Sequence, residues 1–177
     1  MTSLYSSLLG PSWSSLAPAV RRLHAGNAAR GVFAVRRGRG LAWLIGAILG
    51  MPPAAEATAI TLAVDEIDGG ERWVRRFGGR PLTTLQWGSG GLLVERLGLG
   101  QCWFRLRAEA GALIFEQVRA TFGFRGLSLP LPRALAPRAQ GRATPEGDRV
   151  RVDVSMHAPI VGLIVAYEGT VTPEAAT

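Results

Sequence analysis

The chain has 177 residues, of which 47% are hydrophobic and 19% are charged, so it can bury a substantial core and is too apolar to be a disordered protein. All 20 positively charged residues are Arg, which excludes lysine chemistry such as a Schiff base or a phosphate-binding loop lysine. One Cys and two His exclude an internal disulfide and leave too few ligands for a structural zinc site.

The first 57 residues are predicted to be a helical part that contains one strand. Helical spacing of apolar residues, helix-stopping Gly-Pro pairs and a Pro at a first helical position set the boundaries. The predicted helices are Leu4–Leu9, Pro18–Leu23 and Leu41–Leu49, and the predicted strand is Gly31–Arg37. The third helix is apolar almost all round.

From residue 58 the hydrophobic period changes to two, and short Gly-rich turns separate about nine strands. A corner with Pro130, Pro132 and Pro137 interrupts the series. No helix lies between these strands, so a parallel sheet with crossovers is excluded. We expect residues 58–172 to form a mainly β (α+β) structure. It would be a curved antiparallel sheet or barrel of about 8–9 strands, calycin-like, with the N-terminal helices packed on it. Residues 1–177 are predicted to form a single domain.

The net charge of +7 is compatible with an anionic partner, but the Arg residues are scattered in ones and twos. No helix carries a dense basic face, so we expect no nucleic-acid binding. The Gly38-Arg39-Gly40 turn lacks the third Gly of a dinucleotide fingerprint, because Trp43 stands there, and no parallel βαβ unit follows. No cofactor is therefore expected.

The N-terminus lacks an early positive charge, which argues against a signal peptide. The longest uncharged apolar run, Leu41–Ala55, contains Gly and Pro and is shorter than the ~20 residues of a membrane-spanning helix. A cytoplasmic protein is the expectation.

Acid–base chemistry, if present, is predicted for four residues in strand sequence: His157, Glu95, Glu116 and Tyr167. Aromatic and charged residues that could bind a ligand in a barrel are Trp73, Trp103, Arg105, Arg107 and Asp153. For each, an ordinary structural role is the alternative: a cross-strand ion pair, a core aromatic ring or a hydrogen-bonded histidine at a strand end.

Strand parity leaves two arrangements open for Glu95. In the first, Leu93, Glu95 and Leu97 share the barrel interior with Trp103, Arg105 and Arg107, so that Glu95 meets an Arg beside a Trp. In the second, the interior holds Leu92, Val94, Cys102, Phe104 and Leu106, and Glu95 is an exposed ion-pair partner.

Four stretches of the sequence resemble a bacterial family known as domain of unknown function 4166. They are Gly69–Arg80, Leu92–Gly98, Leu129–Arg138 and Pro159–Gly169, and the Leu4–Gly10 and Gly38–Leu41 segments fit as well. The resemblance implies no established activity. Its members look like stand-alone domains or tails fused to oxidoreductase domains of the saccharopine-dehydrogenase type, so a separate oxidoreductase chain is a possible partner.

Three functions fit these observations. The first is a pocket protein that holds a small apolar molecule, with or without an anionic group, inside a β-barrel, with Arg at the ligand's polar end. The second is a cofactor-independent isomerase, cyclase or hydrolase that uses carboxylates and His157 in the same cavity. The third is a structural or membrane-surface module with weak contact through Leu41–Leu49.

Overall fold

The computed structural model describes residues 3–26, 28–124, 127–130 and 136–174. Pro132 of the predicted corner lies outside these ranges. The helices are α1 (Leu4–Leu9), a 3-10 helix (Gly10–Ser15), α2 (Pro18–His24) and α3 (Leu41–Ile48). The strands are β1 (Ala29–Arg37), β2 (Ala55–Ile67), β3 (Gly70–Phe77), β4 (Arg80–Ser89), β5 (Leu92–Leu97), β6 (Gly100–Glu109), β7 (Ala112–Phe124), β8 (Leu127–Pro130), β9 (Arg138–Glu146), β10 (Arg149–Ala158) and β11 (Gly162–Pro173).

The described strands form one antiparallel sheet in the order β6-β5-β4-β3-β2-β1-β11-β10-β9-β7-β8, and β6 also pairs with β7. That pairing closes ten strands into a barrel, while β8 pairs only with β7. The mainly β, antiparallel barrel prediction is confirmed, but the predicted 8–9 strands are too few.

The predicted limits of the sheet omitted β1, which lies between β2 and β11 and completes the ring. Phe33 pairs with Gly169 of β11 on one side and Thr58 of β2 on the other. A Cβ atom at Gly31 or Gly169 would collide with the backbone of the neighbouring strand, so glycine allows the close approach at this junction.

One end of the barrel, here called the plug end, is closed by the N-terminal helices. The Ser3 side chain caps α1 by accepting a hydrogen bond from the Ser6 amide at 3.2 Å. Tyr5, Leu16 and Val20 are buried in the common core. The Ala17 amide donates to the Gly111 carbonyl at 3.0 Å, which ties the plug to the β6–β7 turn.

The opposite end, here called the mouth end, carries α3 and the β3–β4, β5–β6 and β10–β11 turns. The Arg37 guanidinium, at the end of β1, donates to the carbonyls of Met51, Pro52 and Trp43 at 2.8, 2.9 and 3.0 Å. This one side chain therefore holds both α3 and the segment that follows it. Among the described residues, no helix is long and apolar enough to cross a membrane.

Candidate functional site

The barrel encloses a mainly apolar cavity of about 430 Å³, within the range of small-molecule pockets. Its walls come from nearly every strand of the ring and include Phe33, Leu62, Leu82, Phe104, Val154 and Met156. Ile48 and Phe122 line the cavity and are also exposed, so the cavity reaches the surface at the mouth end. Tyr5 and His24 of the plug line it as well.

Polar groups inside this cavity are concentrated in one cluster around Glu95. Its Oε1 atom accepts hydrogen bonds from Gln86 Nε2 at 3.0 Å and from both terminal nitrogens of Arg75 at 3.4 Å. Arg75 also donates to Thr84 Oγ1 at 3.0 Å, and the Tyr5 hydroxyl donates to Gln86 Oε1 at 2.7 Å. Successive side chains of β3, β4 and β5 point alternately into and out of the barrel, and this alternation places the strand residues of the cluster inside.

The charge of Arg75 is balanced inside the barrel. Burial is the largest effect and opposes the charged guanidinium, but Glu95, Tyr167 and Tyr5 together outweigh it, so the pKa of Arg75 is raised. The guanidinium also lies 5.2 Å from the centre of the Trp73 ring. Because Glu95 neutralises this cation, the cluster has little excess positive charge to attract an anion.

Several polar atoms of the cavity lining form no hydrogen bond with the described residues. They include three atoms that can accept one: Glu95 Oε2, His24 Nε2 and Tyr167 Oη. Unused polar atoms on an apolar cavity wall are groups that a ligand can satisfy.

The His24 ring acts as a hydrogen-bond acceptor toward the cavity. Its Nδ1 lies 2.9 Å from the Val20 carbonyl oxygen, which can only accept, so Nδ1 carries the proton. Burial lowers the pKa of His24 to about 4, and the ring is neutral at neutral pH. Nε2 then presents a lone pair.

A second buried carboxylate, Glu71, lies at the plug end. It accepts from Trp73 Nε1 at 2.8 Å and from the Leu4 amide at 3.3 Å. Burial raises the pKa of Glu71, and these two donors partly offset the effect. Glu71 therefore fastens α1 to β3, and its hydrogen bonds are with the protein.

Cys102 faces Glu95 directly across the β5–β6 pair. Burial, with a contribution from Glu95, raises the pKa of the Cys102 thiol to about 12. The thiol stays protonated at neutral pH and does not suit nucleophilic chemistry. Among the described residues, no three His, Cys, Asp or Glu side chains come together so as to hold a metal ion.

Of the nine residues predicted from the sequence, the structure brings Glu95, Tyr167 and Trp73 to the cavity. The other six are outside its lining: His157, Glu116, Trp103, Arg105, Arg107 and Asp153.

The residues outside the cavity have partners of their own, or are exposed. Arg107 pairs with Glu116 at 2.6 Å, and Asp153 lies 3.4 Å from Arg151. Trp103 is buried beneath the Arg119 guanidinium, 4.1 Å from its ring centre. Arg105 and His157 are exposed.

Neither predicted arrangement of β5 and β6 is the one observed. Leu93, Glu95 and Leu97 face inward, but opposite them lie Phe104, Cys102 and Gly100. The Arg and Trp beside Glu95 are Arg75 and Trp73 of β3. Only Gly98 and Leu99 separate the paired residues Leu97 and Gly100, and this two-residue turn fixes the register.

Sequence reasoning missed Arg75, Gln86, Tyr5 and His24 as site residues. Arg75 and Gln86 occupy the inward positions of strands already predicted, so strand parity could have found them. Tyr5 and His24 reach the cavity from the plug, and no local sequence pattern places a helix over a particular barrel end.

The chain belongs to the family Domain of unknown function (DUF4166), whose model matches residues 16–171. Two solved structures share the fold, each over 90% of this chain and with a TM-score of 0.51. One is a protein of unknown function from the DUF3598 family of Nostoc punctiforme, 12% identical, of which 51% is covered. The other is Rv2717c from M. tuberculosis, 13% identical and 99% covered. This chain thus spans about half the length of the Nostoc protein. No curated protein matches the sequence.

Proposed function

We propose that this protein binds a small, mainly apolar molecule inside the barrel and that the ligand carries a neutral, hydrogen-bond-donating head group. The observation that carries the proposal is the pairing of an apolar cavity of about 430 Å³ with acceptor atoms on its wall that form no hydrogen bond with the described residues. An apolar body gains free energy on leaving water, while a few polar groups fix its orientation.

The head group follows from the charges. Glu95 Oε2 and His24 Nε2 are both acceptors, and Tyr167 Oη can donate or accept. A ligand hydroxyl can donate to one of the two acceptors and accept from the Tyr167 hydroxyl. A carboxylate would face Glu95, and Arg75 is already neutralised by that side chain. The charges of the cavity therefore favour an alcohol over an anionic ligand.

The test compares a long-chain alcohol, the matching carboxylate and the matching alkane as competitors of a fluorescent apolar probe such as N-phenyl-1-naphthylamine. We expect the alcohol to displace the probe best. Glu95→Gln should weaken the alcohol about tenfold and strengthen the carboxylate, because Arg75 loses its counter-ion. Glu116→Gln, which removes a carboxylate from the outer wall, is the matched control.

Two results would contradict the proposal. One is a wild-type protein that binds neither the probe nor any of the three competitors. The other is a Glu95→Gln variant whose alcohol and carboxylate affinities both equal those of Glu116→Gln.

A cofactor-independent enzyme is the second candidate, and the unpaired Glu95 Oε2 atom favours it. A carboxylate oxygen held in an apolar cavity next to a phenol can take a proton from a bound substrate. For an enzyme, Glu95→Gln should abolish turnover of a co-purifying compound while the compound still binds. For a binding protein, wild type and variant both leave the compound unchanged, as judged by mass spectrometry.

A further inference from the structure

The outer face of α3 is apolar and uncovered. Leu41, Trp43, Leu44 and Ile48 are 58, 56, 48 and 68% exposed, and no residue of the helix is charged. Leu99 and Ile160, in the β5–β6 and β10–β11 turns of the same end, are 41 and 70% exposed. We call these six side chains the portal patch. A concentration of exposed apolar side chains at one end of a barrel marks an interaction surface.

The charges of the barrel are divided between its two ends. Exposed Arg residues stand at the mouth end, on strand ends or next to α3: Arg36, Arg39, Arg76, Arg80, Arg96 and Arg138. None of the six forms an ion pair with a residue that the structure describes. In the described part of the chain, Glu56 is the one carboxylate at this end.

The plug end carries charges of both signs. Its turns and strand ends carry Asp65, Glu66, Asp68, Glu109, Glu146, Asp148 and Glu174. Several of these carboxylates pair with Arg, as Asp65 does with Arg72 at 2.9 Å and Glu174 with Arg30 at 3.2 Å. The portal patch is thus surrounded by exposed Arg side chains without an ion-pair partner in the described part of the chain, whereas the carboxylates at the barrel ends lie mainly at the plug end.

We infer that the mouth end docks on an anionic lipid bilayer, with the portal patch in the interface and the surrounding Arg side chains on the lipid headgroups. The Arg residues come from six separate positions around the rim, and Glu56 is the one carboxylate that the described part of the chain places among them. Such a ring of a single sign suits a surface whose negative charges can move to meet it.

Docking in this orientation places the cavity mouth against the bilayer, where a ligand can be exchanged. This role in ligand exchange rests on the proposed function. Ile45, Ile48 and Leu49 line the cavity mouth, while Ile48 is also part of the portal patch. A ligand leaving through the mouth would pass along α3 into the apolar layer of the bilayer and need not cross water. The protein would load or release apolar molecules at a membrane.

The test is sedimentation of the full chain with vesicles of phosphatidylglycerol and phosphatidylcholine, compared with pure phosphatidylcholine vesicles. We expect binding to the anionic vesicles alone, weakening as salt is raised. Trp43 emission should shift to the blue on binding, and Trp43→Phe should bind while losing this shift.

Two sets of variants locate the surface. Trp43→Ser/Ile48→Ser should lower the vesicle partition coefficient at least about tenfold. Ile67→Ser, at the plug end and 38% exposed, should leave it unchanged. Arg39→Gln/Arg80→Gln/Arg96→Gln should abolish binding, whereas Arg30→Gln/Arg149→Gln/Arg151→Gln, which removes the same charge elsewhere, should largely keep it.

The inference is overturned if wild type does not sediment with anionic vesicles, if Trp43→Ser/Ile48→Ser binds like wild type, or if the two triple variants lose binding equally. Circular dichroism of each variant confirms folding. Probe binding in vesicle-free buffer is measured separately, so an empty cavity and an absent membrane contact give different results.

Discussion

Arg75 and Glu95 form a partly buried ion pair whose side chains are 16 and 21% exposed. A buried charge without its partner is costly, so Arg75→Met should destabilise the protein by about 3 kcal/mol or more. Removing both charges in Arg75→Met/Glu95→Leu should cost clearly less than the sum of the single changes. Urea denaturation of wild type, Arg75→Met, Glu95→Leu and the double variant measures this coupling. If the losses of the two single variants add up to that of the double variant, the pair is not electrostatically linked.

His24 makes the stability of the fold depend on pH. The pKa of His24 is lowered from 6.5 in the unfolded chain to about 4 in the folded protein. Between these two pH values the unfolded chain therefore binds the proton more readily than the folded protein does. Stability is then fully present above about pH 6.5 and falls as the pH drops toward 4, by about 2 kcal/mol between about pH 7 and pH 5.

The matched variant for this prediction is His24→Phe, which keeps a buried ring and removes the titration. The raised pKa of Glu71 makes the folded protein more stable as the pH falls, which opposes the effect of His24. Wild type and His24→Phe both contain Glu71, so this contribution cancels when their stabilities are compared. We expect urea midpoints of wild type to fall more steeply below pH 6.5 than those of the variant. Parallel curves would rule out a neutral buried His24.

For individual residues, the sequence predicts which types of side chain form the site better than it predicts which side chains they contact. Glu95 is named from its place in a strand, but its partner Arg75 is 20 residues away and reaches it across β4. Strand parity limits each residue to one of two faces. Which face is inside depends on how neighbouring strands pair, and here a turn of two residues decided it.

Among the elements, α3 contacts β11 and β1, and the Arg37 side chain of β1 supplies its side-chain hydrogen bonds to the barrel. The Arg37 guanidinium donates to three carbonyls of α3 and the following segment, and its Nε atom has no hydrogen-bond partner among the residues that the structure describes. Burial lowers the pKa of Arg37, in keeping with the absence of a paired carboxylate. Gly46 of α3 lies so close that a Cβ there would collide with the guanidinium.

Arg37→Met should therefore loosen α3 and speed ligand exchange at the cavity mouth. We expect the probe to dissociate at least about tenfold faster, with little change in the far-ultraviolet circular dichroism. Arg39→Gln, an exposed neighbour outside these contacts, is the control in the same stopped-flow displacement assay. An unchanged dissociation rate in Arg37→Met would show that α3 does not limit exchange.

The helices and strands follow local sequence patterns closely, and their positions in space do not. Leu41–Leu49 was predicted as a helix and the structure has α3 at Leu41–Ile48. The stop at Gly50 and the prolines after it explain that agreement. Its location over the cavity mouth depends on contacts of Arg37 and β11, which no helical period encodes.

The whole barrel is completed by β1, and this is the feature that local sequence reasoning could not supply. The sequence predicts β1 as a strand, but it does not indicate the partners of β1. They are β2, which pairs through residues 55–62, and β11, about 130 residues further along the chain. The predicted sheet of residues 58–172 accordingly lacked one member. Pairing over such sequence distances is fixed by the closure of the ring.

The β1–β11 junction should therefore control the stability of the entire molecule. Gly169 lies opposite Phe33, and a Cβ there would collide with the Val32 carbonyl and the Phe33 side chain. Gly169→Ala must push the two strands apart and open the ring. We expect a loss of about 3 kcal/mol or more in the free energy of unfolding, because backbone atoms cannot give way as a flexible side chain can.

Gly88→Ala is the matched control, since its added methyl would meet the flexible Leu8 side chain at 3.3 Å and should change stability by about 1 kcal/mol or less. Both variants are compared by urea denaturation and by hydrogen exchange of the β1 and β11 amides. If Gly169→Ala opens the seam, these amides lose protection first and the cavity stops binding the apolar probe, because a ring with a gap cannot keep water out. Equal stability of the two variants, with β1 and β11 still protected, would mean that the barrel does not depend on this junction for closure.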